Sequence, residues 1–218
     1  MAGTADVLGE WPDLEQPRYL DLQQFLESLG ISPLAPQPVM EVARRAHSMP
    51  YPPHWSEQMD TVSGILYFYH DLQDESSWTH PLAETFREVM ALVGLFEAES
   101  IGLDVLAARI EEALAEAQTR ATEALAEWVG PISAGDAGAY FYNRTTGQSE
   151  WEDPRERWRY DLHVRYNLLV GFLVGEERRA AKRSGLQGLR TPDLTPTLTS
   201  LASSMSSVAS ALASAVTE

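Results

Sequence analysis

The chain contains no cysteine. That removes disulfides, thiolate metal sites and thiol nucleophiles together, and it fits a cytosolic compartment. Basic residues are scarce: 16 Lys and Arg stand against 32 Asp and Glu, a formal charge of −16 over 218 residues. The expectation is a soluble acidic protein of one or two compact units that seeks neither nucleic acid nor an anionic membrane. Met1 to Glu10 lacks the apolar centre of a secretion signal, and Leu198 to Val216 is too polar to span a bilayer. No glycine-rich phosphate loop occurs. The five histidines, His47, His54, His70, His80 and His163, show no metal-ligand spacing. The paired carboxylates Glu111-Glu112 and Glu176-Glu177 fall on expected helix faces, where solvation accounts for them. No nucleophile, base or metal set converges, so no enzyme activity, metal or cofactor is expected.

What the chain does have is an aromatic pattern that occurs twice. Trp55 is followed by Tyr67-Phe68-Tyr69, then Trp78 and Pro81; Trp128 is followed by Tyr140-Phe141-Tyr142, then Trp151 and Pro154. The two tryptophans are 23 positions apart in both copies, and the second precedes its proline by three. Side chains alternate along a strand, so Tyr67 and Phe68 must point to opposite faces, as must Tyr140 and Phe141.

This pattern resembles the WW domain, a three-stranded antiparallel sheet with two signature tryptophans. The resemblance implies a structural clasp of Trp55, Phe68 and Pro81 in the first copy and of Trp128, Phe141 and Pro154 in the second, with Asn143 tying the second turn. It also implies a groove for a prolyl ring between Tyr67 and Trp78, and another between Tyr140 and Trp151. By the same resemblance, peptide contacts fall to Tyr69, Asp71 and Ser76 in the first copy and to Tyr142, Arg144 and Ser149 in the second. Aromatic grooves suit polyproline II segments because that helix is preformed and loses little entropy on docking. WW domains that take Pro-Pro-x-Tyr carry a His where this chain has Asp71 and Arg144, which argues against that ligand. Those that read phosphoserine-proline carry an Arg in the first loop, where this chain has Gln58 to Ser63 and Pro131 to Asp136, with no cation. The copies differ in their second turn: Asn143 to Ser149 includes Gly147, whereas His70 replaces the Asn and Asp74-Glu75 stands where Gly would turn more easily. Either groove could be covered by the protein's own helices, since aromatics on strands also serve as core packing.

Around these modules the periodicity is helical. Pro12 to Gly30 carries Leu20, Leu22, Phe25, Leu26 and Leu29 at helical spacing, and a second short helix is expected from Pro38 to Ala46. A bare WW of about 35 residues is small for a self-sufficient core, which gives the added helices a reason. This prefix, with Leu26-Glu27-Ser28-Leu29-Gly30-Ile31-Ser32-Pro33, Val42-Ala43-Arg44-Arg45 and Trp78-Thr79-His80-Pro81, makes residues 14–92 resemble the helix-extended N-terminal WW module of the centrosomal distal-appendage family that recruits tau-tubulin kinase in ciliogenesis. Leu82 to Glu127 reads as helical with a break near Gly94 to Gly102, and another helix follows Pro154, with Arg178, Arg179, Lys182 and Arg183 near its end. Thr191-Pro192 and Thr195-Pro196 are potential sites of proline-directed phosphorylation.

The fold expected is α+β: two small three-stranded antiparallel WW sheets joined and flanked by α-helices, with a disordered or weakly helical C-terminal tail. Its segments are a flexible N-terminus (1–13), a helical prefix (14–50), the first WW (51–82), a helical linker (83–127), the second WW (128–154), a C-terminal helix (155–183) and a Ser/Thr/Ala-rich tail (184–218). The expected function is a non-enzymatic cytoplasmic adaptor that binds proline-containing segments. The resemblance implies a place at a centriole, basal body or cilium, with a kinase or a centriolar or ciliary protein among its partners. Two alternatives stay open: a structural assembly component with covered grooves, and a nuclear splicing-type adaptor with paired WW domains.

Overall fold

The computed structural model describes residues 19–187 and 195–216. The expected flexible N-terminus, Pro12 to Arg18 of the expected first helix, and Thr191-Pro192 lie outside them. The architecture is mixed α+β, with helices around two separate three-stranded antiparallel sheets. Among the described residues no helix is long and apolar enough to cross a membrane. Residues 19–110 and 164–187 form one compact unit, and 111–163 with 195–216 form a second.

The first unit begins with α1 (Leu22–Leu29), later than the apolar spacing suggested. Asp21 sets the start, because its Oδ1 accepts from Gln24 N at 2.8 Å and satisfies an N–H that has no partner in the helix. Gly30 ends it at φ 71°, where its N–H donates to Glu27 O at 3.0 Å and Ile31 N–H to Leu26 O at 2.9 Å. This double closure needs a left-handed residue, which glycine supplies without Cβ strain. Helix α2 (Gln37–His47) carries Pro38 in its first turn and Arg44, Arg45 and His47 in its last, both favoured placements. Strands β1 (Trp55–Met59), β2 (Leu66–His70) and β3 (Glu75–Ser77) follow in sheet order β1-β2-β3.

Helix α3 (Ala83–Glu99) runs straight through Gly94, so the break expected there is confined to Ser100–Gly102. A helix-interior glycine costs only about 1 kcal/mol, and the burial of Phe86, Val89, Met90, Val93 and Phe96 outweighs it. Helix α3 packs on α1 and α2, with the Phe86 ring 5.5 Å from that of Phe25. Half of the expected linker is therefore core of the first unit. Ser100, just past α3, sits at φ 51°. Left-handed backbone costs a residue with a Cβ roughly 1–2 kcal/mol, partly offset in Ser100→Gly by the freer unfolded chain. We expect Ser100→Gly to raise stability by about 0.5–1 kcal/mol in urea denaturation.

An aromatic cluster joins the first sheet to its helices. The His80 ring lies 5.1 Å from those of Phe68 and Phe86, 5.2 Å from Tyr51 and 5.9 Å from Phe25. Its Nδ1 accepts from Leu82 N at 3.0 Å, which fixes the ring at the entrance to α3. Glu57 is the other fastening: cross-strand from Phe68, it is 3% exposed. Its carboxylate accepts from Tyr19 N, from Leu20 N at 3.1 Å and from the Tyr51 hydroxyl.

The second unit contains the later part of α4 (Leu103–Ala126), β4 (Trp128–Ser133), β5 (Ala139–Asn143), β6 (Ser149–Glu150), the first part of α5 (Pro154–Gln187), and α6 (Thr195–Ala213). On α4 the stripe narrows to Ala117 and Ala121, both buried. Small side chains at such positions let neighbouring backbone approach closely. Trp128, Phe141, Tyr160 and Leu162 fill the centre. The C-terminal tail is helical over α6, with Leu201 and Leu212 buried as its spacing predicts.

Candidate functional site

The two sheets reproduce one hydrogen-bonding plan. Trp55 stands opposite His70 as Trp128 stands opposite Asn143; Ser56 opposite Tyr69 corresponds to Val129 opposite Tyr142; Tyr69 opposite Ser76 corresponds to Tyr142 opposite Ser149. The connecting bonds match too. Asp71 N donates to His54 O at 3.0 Å and Arg144 N to Glu127 O at 2.9 Å.

The second turns reach one shape with different chemistry. Asn143 Oδ1 accepts from Thr145 N at 3.0 Å and Thr146 N at 2.9 Å, and Gly147 follows at φ 74°. In the first module His70 takes over, its Nδ1 accepting from Gln73 N at 3.2 Å. Asp74 then holds the left-handed position at φ 52°. An imidazole nitrogen can replace the amide oxygen because the turn needs only an acceptor at that place. Asp74 has a further consequence: its carboxylate accepts from the Tyr69 hydroxyl at 3.0 Å, and this bond raises the Tyr69 pKa. Gly147 offers Tyr142 no such acceptor.

Partners across a strand pair point to the same side. Phe68, with Glu57 beside it, therefore faces the helices, and Tyr67 and Tyr69 face away. The outward face carries the sequence-predicted pair in both modules. Tyr67 and Trp78 have ring centroids 6.0 Å apart at an interplanar angle of 69°; Tyr140 and Trp151 are 5.9 Å apart at 69°. Trp78 is 69% exposed and Trp151 59% exposed. On the opposite faces Phe68, Trp128, Phe141, Asn143 and Pro154 are buried, while Trp55 and Pro81 are partly so. Trp55 sets its ring edge-on to His70 at 5.0 Å. Ser76 and Ser149 are exposed on the same face as the pairs, whereas Asp71 lies at the sheet's edge with its Oδ1 2.9 Å from His54 Nδ1, and Arg144 is exposed after β5.

Four residues of these faces escaped the sequence reading. Opposite Tyr67 and Tyr69 stand Gln58 and Ser56; opposite Tyr140 and Tyr142 stand Ile132 and Val129. Gln58 and Met59, expected in the first loop, belong to β1, and Pro131, Ile132 and Ser133, expected in the corresponding loop of the second copy, belong to β4. The strand takes one residue more than β1 does between these pairs, at Gly130-Pro131, whose peptide bond is cis. Gly130 is required there, since a Cβ would lie 2.7 Å from Phe141 Cδ1 at φ 149°. The first outward face is thus polar beside its aromatics and the second is aliphatic.

The first unit also has a cavity of 340 Å³ bordered by Phe96, Glu97, Leu106, Phe172, Glu176 and Arg183. Phe96 and Phe172 stack at 6.4 Å, and Glu176 accepts from Arg179 Nε at 2.8 Å. Burial, with the charge and hydrogen bond of Glu176, holds the Glu97 pKa above its ordinary 4.5. A carboxyl whose folded pKa is raised binds more protons folded than unfolded, so its contribution to stability falls as pH rises from about 4.5 through the folded value. Glu97→Gln removes that loss. Its melting temperature should exceed the wild type's above this range, with the gap closing toward pH 4; equal curves at pH 4 and 7 would contradict it. Among the described residues no group of three or more His, Cys, Asp or Glu could hold a metal ion.

No protein-family model matches the chain, and no solved structure matches it.

Proposed function

We propose that both sheets are WW domains and that the chain is a non-enzymatic adaptor, binding proline-containing protein segments at a centriole, basal body or cilium. The observation that carries this reading is the repeated outward Tyr–Trp pair, matched in ring distance and angle in the two modules, with its tryptophan exposed and its tyrosine half-buried in both. Two large aromatic faces left in water at the same register suit an apolar partner better than core packing. A prolyl ring fits such a pair because it is rigid and apolar. The openness of both tryptophans favours a ligand groove over a covered structural sheet, and the helical prefix favours the centrosomal resemblance.

One groove of this kind gives about micromolar binding, near −8 kcal/mol. The 218-residue chain should therefore capture proline-rich peptides from an array, and the double variant Trp78→Ala, Trp151→Ala should weaken that capture at least about tenfold while staying folded. Retained binding and retained centrosomal staining in the double variant would sink the reading. Nuclear staining of a tagged wild-type chain would remove the ciliary part alone.

A further inference from the structure

The first sheet is the one without a cation of its own. Residues 51–82 carry five carboxylates, Glu57, Asp60, Asp71, Asp74 and Glu75, and neither lysine nor arginine. Glu57 is engaged inward with Tyr19, Leu20 and Tyr51, and Asp60 closes the first loop on Val62 and Ser63. Asp71 and Asp74 stand at the other end, where β2 gives way to β3, and both are exposed. Asp74 Oδ1 accepts from the Tyr69 hydroxyl at 3.0 Å, so its carboxylate lies on the outward face that holds Tyr67 and Trp78. The hydrogen bond and charge of Asp74, and more weakly the charge of Asp71, raise the Tyr69 pKa, which puts both carboxylates within electrostatic reach of that hydroxyl.

The second sheet supplies the contrast. Gly147 takes the place of Asp74 and Arg144 that of Asp71, so its matching edge carries a cation where the first carries two anions. Spacing fixes where a partner's charge must fall. Tyr67 and Tyr69 are two residues apart on one face, about 7 Å along the strand. A polyproline II segment advances about 3.1 Å per residue. Laid along β2 with a proline on Tyr67 and Trp78, such a segment brings a residue two or three places from that proline beside Tyr69, Asp74 and Asp71. A carboxylate accepts more than one bond, so Asp74 can keep Tyr69 and still receive an ammonium or guanidinium.

We propose that the Tyr67–Trp78 groove takes proline segments that carry a lysine or arginine two or three residues from the proline, held by Asp74 and Asp71, and that the Tyr140–Trp151 groove lacks this preference. The assignment rests on the proline-recognition reading of the first sheet and adds to it the charge of the partner. Exposed ion pairs are individually weak, so attraction to Arg and repulsion of Glu together amount to about five- to tenfold at low salt. Salt screens both.

The test is fluorescence anisotropy of labelled peptides Ala-Pro-Pro-Ala-Xaa-Ala and Ala-Xaa-Ala-Pro-Pro-Ala, with Arg, Ala or Glu at Xaa. The 218-residue chain carries Trp151→Ala, which leaves only the first groove. In one of the two orientations the Arg peptide should bind about five- to tenfold tighter than the Glu peptide at about 50 mM salt, and within about twofold of it at about 500 mM. Asp74→Asn should reduce the difference, and Asp71→Asn with Asp74→Asn should erase it. Asn accepts the left-handed backbone that Asp74 holds at φ 52°, and its amide oxygen still receives the Tyr69 hydroxyl. Circular dichroism verifies that each variant is folded. The chain carrying Trp78→Ala instead should show no preference for Arg. A preference that survives both Asn changes, or is as strong in the second groove, is the general pull of a chain of charge −16 and overturns the proposal. Equal binding of the Arg, Ala and Glu peptides overturns it too. Equal binding that is lost on adding Trp78→Ala leaves proline recognition standing without charge selection, whereas no binding of any peptide to the wild-type chain removes both.

Discussion

Glu57→Ala is expected to destabilise the protein by about 2–4 kcal/mol, as measured by urea denaturation. The carboxylate is nearly sealed from water and receives the N–H groups of Tyr19 and Leu20 and the hydroxyl of Tyr51. Alanine leaves those donors facing apolar surroundings, and an unsatisfied buried donor costs about 1–3 kcal/mol. Water entering the vacated space recovers part of it, which keeps the total below the sum of three such losses. Glu57→Gln should cost less, since one amide oxygen can still accept from the two backbone N–H groups while the amide nitrogen faces the Tyr51 oxygen. The ordering is the informative result. If both variants denature with the wild type, the segment before α1 is not held by this side chain.

Phe25→Ala should have the larger effect, about 3–5 kcal/mol. The ring is 1% exposed and meets three others edge-on: His47 at 5.4 Å, Phe86 at 5.5 Å and His80 at 5.9 Å. Truncation loses the transfer energy of the ring and leaves a cavity among side chains drawn from α1, α2, α3 and the approach to α3, which cannot all close inward. Phe25→Leu refills most of the space and should cost about 1–2 kcal/mol. Because His80 also touches Phe68, the loss should reach the sheet. A two-state melt by Trp fluorescence and by far-ultraviolet circular dichroism should shift by the same amount for Phe25→Ala; separate shifts would mean that the molecule does not unfold as one cooperative body.

The parts of this molecule that could be read from sequence were those with a period. Tyr67-Phe68-Tyr69 and Tyr140-Phe141-Tyr142 alternate faces as strands must, and Gln37–His47 and Leu103–Ala126 follow their apolar spacing to within a residue or so. The alternative of covered grooves was equally consistent with the sequence, because burial of a Trp depends on what lies above it and no local pattern reports that. Glu57 was hidden for a related reason: a Glu in a short strand reads as solvated until partners 37 and 38 positions earlier in the chain are known. Gly94 misled in the opposite sense, since intrinsic propensity yields to the packing of Val89, Met90 and Val93. Ile132 could have been found only by allowing β4 one more residue than β1, and the sole hint was Gly130, the residue that a close approach to Phe141 demands.

The division of the chain at residues 110 and 164 has a consequence for how the protein is made. The first unit is written in two pieces with the whole of 111–163 between them. During synthesis its sheet leaves the ribosome early, but Phe172, the stacking partner of Phe96, arrives only after the second sheet has been made. Phe172 follows Phe96 by 76 residues, so at about 5–20 residues per second that wait is roughly 4–15 seconds. A fragment ending before residue 164, the natural choice for isolating the first module, would never receive that partner. The older half of the molecule is finished last.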